Sequence, residues 1–237
     1  MTLVVPYWRQ VKVVLRGEPA RVARWTQELE ASRIWSWLIV AVLGSGMFGA
    51  AMGWWRAPEQ AVYTAIKFPV VVLVTMMGNA VLNAMLAPLL GVNIGLRQSL
   101  LAVMMSFAIA AAIMGATSPL LAFFIWNTPP LQDQADSGGA HAAILLMIVA
   151  MVAFAGVVAN LRLFQLLREI SGSNASAKRV LLAWLAGNLF LGSQMSWILR
   201  PFIGSPGLPV QFLRDEPMKG SFFEAVYWSA LRVLSSN

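Results

Sequence analysis

The sequence predicts an all-α fold, a polytopic membrane protein built as a bundle of five transmembrane helices with amphipathic N- and C-terminal interfacial segments. Three observations lead there. Of 237 residues, 59% are hydrophobic and only 11% are charged, whereas soluble domains carry about 25% charged residues. The apolar residues gather into five runs, each of roughly 20 residues or more, enough to cross about 30 Å of hydrocarbon as a helix. The alternating ten-residue segments that a closed barrel would need are missing.

Residues 1–33 form a basic amphipathic segment expected on the cytoplasmic side. Arg9, Lys12, Arg16, Arg21 and Arg24 occur without a separate apolar core or a small-residue cleavage site, so the stretch does not read as a signal peptide. Two short interfacial helices broken at Gly17-Glu18-Pro19 fit it best. Tyr7, Trp8, Val11, Val14 and Leu15 would face lipid in the first, and Val22, Trp25 and Leu29 in the second.

Residues 34–199 form the bundle. The spans are placed at Ile34–Trp55, Phe68–Leu90, Leu100–Trp126, Ala142–Leu161 and Val180–Leu199. In span one, Ser45, Gly49 and Gly53 recur every four residues, a face of small side chains that lets another helix approach closely, in this chain or a second copy. Span two carries Asn79 and Asn83 on one face. Span three contains Ser118-Pro119, which predicts a kink or tilt with neighbours satisfying the freed carbonyl. Span four ends at Asn160 and begins beside His141. Span five carries Asn188, Gly192 and Ser196 at four-residue spacing, with Gln194 offset from them. Amides in hydrocarbon should point into the bundle, where they act as helix–helix glue or line a polar site. Asn79, Asn83, Asn160, Asn188 and Gln194 are the candidate intramembrane polar set.

Residues 200–237 form a proline-rich outer loop and an interfacial helix. Arg200 at the end of span five can bond the unpaired carbonyls of the last turn and meet the negative end of the helix dipole. Pro201, Pro206 and Pro209 restrict the chain that follows. Arg200, Phe202, Phe212 and Arg214 are the candidate docking residues of an ordered cap. Ser221 can cap a short helix whose apolar side holds Phe222, Phe223, Val226 and Leu234.

Lysine and arginine set the orientation. With five spans and the N-terminus inside, the inner segments carry 6 + 1 + 4 = 11 basic residues and the outer segments 2 + 0 + 4 = 6, the two in the first outer loop being Arg56 and Lys67. The bias favours a cytoplasmic N-terminus and an external C-terminus. The net charge of +7 then reflects anionic lipid and orientation rather than nucleic acid.

Catalytic chemistry finds little purchase. The chain has no cysteine and a single histidine, which excludes thiolate metal sites, a cysteine nucleophile and a haem held by two histidines of one chain. All ten carboxylates lie outside the predicted hydrocarbon core, so neither a paired acid–base site nor a buried proton relay is expected. Phosphate-loop, dinucleotide and serine-hydrolase motifs are missing. No catalytic, cofactor-binding or metal-binding residue is assigned.

The first span GSGMFGAAMGWW, the second AIKFPVVVLVTMMGNAVLNAMLAPLLG, and above all the ending GSQMSWILRPFIGSPGLPVQFLRDEP resemble an uncharacterised family of bacterial multi-span inner-membrane proteins. That ending fits a pattern of the type WxLRPFIGxPxxPVxFxR. The five-span plan is also loosely similar to Yip1-type proteins, whose usual polar signatures are missing here. The resemblance implies the bacterial inner membrane and the topology, and it carries no biochemistry onto residues. The sequence therefore points to a non-enzymatic integral membrane protein in contact with the lipid bilayer. Its expected role is that of a structural or accessory subunit with protein partners in the membrane or a homo-oligomer. The alternative is a small channel, transporter or lipid-handling protein using the neutral amides.

Overall fold

The computed structural model describes residues 23–26, 30–128, 137–204, 209–225 and 227, with side chains for 137–142 excepted. The expectations for residues 1–22, for Leu29, for His141, for Pro206 and for Val226 and Leu234 lie outside the described residues or side chains. Five long helices follow one another: α1 (Ala31–Trp54), α2 (Pro58–Leu89), α3 (Leu96–Trp126), α4 (Ser137–Ser171) and α5 (Asn174–Ile198). No strand occurs among the described residues.

Four of these helices are long and apolar enough to cross a membrane: α1, α2, α3 and the stretch Ala143–Ser171 of α4. The fifth is long enough, at 25 residues. Its polar positions, among them Asn188, Ser193, Gln194 and Ser196, keep its mean hydropathy below that of the others.

The boundary of the second helix differs from the sequence expectation. Pro58 stands at its first position with Glu59 in the first turn, a strong helix-start signal. The helix therefore begins ten residues before Phe68. Lys67, expected in a loop, lies inside the helix and is fully buried.

Helix α3 is the most enclosed and packs against α1, α2 and α4. Its line of small residues makes this possible. A Cβ on Gly44 of α1 would come within 2.1 Å of Ala111 O, and one on Gly115 within 2.8 Å of the Gly44 Cα, so the two backbones touch where they cross. The Ser45–Gly49–Gly53 face of α1 is used in the same way against α2. A Cβ on Gly49 would sit 2.6 Å from Thr64 O, and one on Gly53 2.5 Å from Gln60 O. Pro119 of α3 leaves Gly115 O without its i+4 donor, and Ser118 Oγ donates to that carbonyl at 2.7 Å.

Two apolar clusters stack along the bundle. One gathers Trp37, Met76, Met105, Leu163 and Trp184. The other gathers Phe48, Met52, Met114, Leu121 and Ile148, and Ile203 from beyond α5 joins it. Helix α5 runs antiparallel to α2 along most of its length. Ser176 lies near Gly91, Gly187 against Asn79, Gly192 against Thr75, and Pro201 against Gln60.

Candidate functional site

Two features stand out: a cap clamped to one end of the bundle, and a cavity inside it. The clamp is a stripe on α2. Gln60, Thr64 and Lys67 are spaced by four and three residues, so they share one face, and all three are fully buried. That face meets the chain just after α5. Gln60 Nε2 donates to Pro201 O and to Phe202 O, both at 2.9 Å. Thr64 Oγ1 donates to Phe202 O at 2.7 Å. Lys67 Nζ donates to Pro201 O and, at 2.8 Å, to Phe212 O.

Aromatic rings close around the ammonium. Lys67 Nζ lies 5.3 Å from the Phe202 ring centre and 5.5 Å from that of Phe212, distances at which a ring face attracts a cation. Phe202 packs edge-on to Phe68, and Phe212 edge-on to Tyr63. A lysine in hydrocarbon costs about 2.5–3.5 kcal/mol on insertion scales. Here two carbonyls and two rings offset that cost, and no carboxylate pairs with it among the described residues.

Arg200 sits at the exit of α5. Its guanidinium stacks 3.7 Å from the Trp197 ring centre, and Nη1 donates to Trp197 O, a C-terminal carbonyl of the helix. Burial first, and the nearby Arg214 charge second, lower its pKa from the usual arginine value. Arg214 N–H donates to Arg200 O at 3.4 Å, which closes the cap into a loop. The following segment folds back along α5. Trp197 Nε1 donates to Lys219 O, Phe222 N–H to Gln194 Oε1, and Phe223 stacks on Phe190. Ser221 Oγ accepts from Glu224 N–H at 3.1 Å, as an N-cap does.

The amides are placed differently from one another. Asn79 and Asn83 are buried between helices, and neither polar atom of either side chain has a partner. Asn160 Nδ2 donates within its own helix to Gly156 O, which leaves its Oδ1 unpaired. Asn188 Oδ1 is likewise unpaired. Gln194 alone of the set bonds outside its helix, through Phe222. The expected bonding of these amides across helices is therefore limited to Gln194.

Asn160 and Asn188 face a partly open cavity of about 810 Å³ between α2, α3, α4 and α5. Its walls are mostly aliphatic and aromatic, with Phe68, Val72, Phe107, Val157 and Leu185 among them. Thr75, 4% exposed and with its hydroxyl unpaired, also lines it. Along α5 the lining runs from Lys178 to Ser196, a rise of about 27 Å. The cavity exists because α4 packs loosely: it is the least buried of the four apolar helices. Asn79 and Asn83 are outside its lining.

The sequence pattern hides the clamp because the apolar run of span two begins only at Phe68, which places Lys67 in the preceding loop. Pro58-Glu59 was the signal that could have found it. No cluster of three His, Cys, Asp or Glu side chains exists among the described residues. These features define a multi-pass membrane protein with a capped helical bundle. Comparison with known family models, characterised proteins and solved structures finds no match to this chain.

Proposed function

We propose that this protein is a non-enzymatic, lipid-handling protein of the bacterial inner membrane, in which five helices cross the bilayer and the cavity accommodates one apolar chain of an amphipathic molecule. A single observation carries this: a cavity of about 810 Å³, within the size range of ligand sites at about 300–1,000 Å³, has apolar walls and is lined by Thr75, Asn160 and Asn188, each with a buried polar atom that has no partner among the described residues. Each buried polar atom left unpaired costs about 1–3 kcal/mol. A guest with a hydroxyl or amide N–H part-way along an apolar chain would relieve that cost. The aliphatic lining favours such a guest over a file of water, and no carboxylate lines the cavity to favour a cation.

The charge pattern supports a cytoplasmic N-terminus. With Lys67 moved from the outer loop into the bundle, the basic residues divide 11 inside to 6 − 1 = 5 outside. Kinship with the inner-membrane family through the Ser196–Pro217 stretch belongs to the same proposal and adds no chemistry of its own.

A structural or accessory subunit is the second reading. It keeps one observation in its favour, the exposed apolar side chains of the cap and tail, Met218 and Phe223 among them. The small-residue face of α1 no longer speaks for a neighbouring copy, because α2 of the same chain occupies it.

The test is native mass spectrometry of the protein released from its own membranes. A Cβ on Gly156 meets nothing within 4 Å, and the residue lines the cavity, so Gly156→Phe fills the space. The wild type should carry a lipid-like molecule that the variant loses, with both unfolding at similar temperatures. Equal lipid on both, or none on either, would reject the cavity as the site; a stoichiometric protein partner on both would favour the subunit.

A further inference from the structure

We propose that Arg200 and Arg214 form a phosphate-binding pair, and that its ligand is the phosphodiester of an anionic glycerophospholipid at the capped end of the bundle. This stands apart from the cavity and does not depend on it.

Arg214 is the starting point. Among the described residues its guanidinium makes no hydrogen bond and no ion pair, and its Nε is buried without a partner. The loop closure through Arg214 N–H and Arg200 O brings the two backbones together, and the Arg214 charge is near enough to act on the Arg200 guanidinium. Two like charges repel, and the depressed pKa of Arg200 reflects that proximity as well as burial. The two ion pairs among the described residues are Arg33–Glu30 and Lys219–Glu216, so the nearest acidic stretch of the cap spends Glu216 on Lys219. Lys67 beneath the cap adds a third cation whose partners are carbonyls. Asp215, next in the chain, is exposed and pairs with neither arginine among the described residues, so the two guanidinium groups have no carboxylate partner there.

The geometry favours phosphate. Arg200 is immobilised by stacking on Trp197 and spends one N–H group on Trp197 O; its other donors stay available. Two planar forks present donors in the arrangement that phosphate oxygens accept, often in pairs. The setting favours lipid as its source. Phe212, Leu213, Met218 and Phe222 are exposed around the pair, which suits the boundary between acyl chains and headgroups. Tryptophan settles at that depth too, and an arginine there reaches lipid phosphate.

The experiment uses the full chain in nanodiscs of phosphatidylcholine with or without about one fifth phosphatidylglycerol, a mixture that supplies anionic surface charge. Two readouts are taken: lipid retained in native mass spectrometry, and hydrogen exchange over 209–214. The expected result is an anionic lipid retained at least 10-fold over phosphatidylcholine. Slower exchange over the cap should appear only in the anionic discs. Arg214→Gln should lose both, Arg214→Lys should keep part, and Arg179→Gln, an exposed arginine at the opposite end of α5, should change neither. Because the Arg214 side chain makes no hydrogen bond or ion pair among the described residues, and glutamine keeps part of its packing, Arg214→Gln should change the unfolding temperature little. No lipid preference, or a preference that survives Arg214→Gln, would overturn the proposal. Equal cap protection by inorganic phosphate in neutral discs would overturn the lipid assignment.

Discussion

Lys67 of α2 and Phe212 of the cap are joined by a 2.8 Å hydrogen bond from Nζ to the carbonyl oxygen, across 145 residues of sequence. The same ammonium faces the Phe212 ring at 5.5 Å. The N-terminal third of α2 and the exit of α5 are thus one structural unit. The cap is intrinsic to the chain.

Lys67→Met tests that unit. The substitution removes an expensive buried charge, worth about 2.5–3.5 kcal/mol, and leaves Phe212 O short of a donor, at about 1–3 kcal/mol, while Pro201 O keeps its bond from Gln60. The two effects nearly cancel in global stability, so the unfolding temperature should move little. The cap should open more easily by about 2 kcal/mol, and its amides, Arg214 N–H among them, should exchange about 30-fold faster. Hydrogen exchange with mass spectrometry reads this directly. Unchanged exchange over 209–214 would show that Gln60 and Thr64 hold the cap without Lys67.

Gly49→Leu should destabilise the bundle without changing its oligomeric state. Its Cβ would fall 2.6 Å from Thr64 O and 3.0 Å from Phe68 Cβ, and overpacking of this kind costs about 1–3 kcal/mol or more. Leu43→Val on the lipid face, where Leu43 is 60% exposed, should have almost no effect. Thermal unfolding in detergent, with mass measured in the same sample, separates the outcomes. A change of oligomeric state at unchanged stability would mean that a second copy, rather than α2, uses this face.

The helices were legible because long apolar runs leave few alternatives in a chain this poor in charge. The small-residue face of α1 was legible too, but its partner was not: the surfaces it meets are backbone at Gln60 and Thr64, which no residue type advertises. The same applies to the clamp. Gln60, Thr64 and Lys67 form a visible stripe once α2 starts at Pro58, yet their acceptors are the carbonyls of Pro201, Phe202 and Phe212. Reading Lys67 as a loop charge concealed the stripe. The cavity depends on how far α4 stands from its neighbours, a property of packing that composition does not encode. Asn160 and Asn188 stand out in the sequence as amides within apolar runs; that they share a cavity while Asn79 and Asn83 do not follows from helix rotation.

Asn83→Leu should raise stability. Asn83 is 1% exposed and both its polar atoms are unpaired, so the amide costs about 1–3 kcal/mol where it stands. An apolar side chain of similar length removes that cost, for an expected gain of about 1 kcal/mol. The measurement is unfolding in mixed micelles. A loss of stability instead would mean that Asn83 bonds a water or a guest.

The fifth helix gives the last prediction. By composition α5 falls short of the other four as a membrane span. Its 25 residues rise about 37 Å as a helix, enough to cross, and its neighbours change in order along α2. Ser176 is near Gly91 at one end, Gly187 and Gly192 meet Asn79 and Thr75 in the middle, and Pro201 meets Gln60 at the other end. Since α2 is one of the four helices apolar enough to cross a membrane, a helix paired with it from end to end should cross with it. The polar side chains of α5 do not oppose this, because Asn188 and Ser196 face the cavity rather than lipid. The chain has no cysteine, so single cysteines report cleanly. Asn174→Cys, at the start of α5, and Asp215→Cys, in the cap, are both at exposed positions. An impermeant maleimide added to intact cells should label Asp215→Cys and reach Asn174→Cys only after the membrane is opened. Labelling of both from one side would leave four spans. The reverse sidedness would keep five spans and invert the orientation that the 11-to-5 division of basic residues favours.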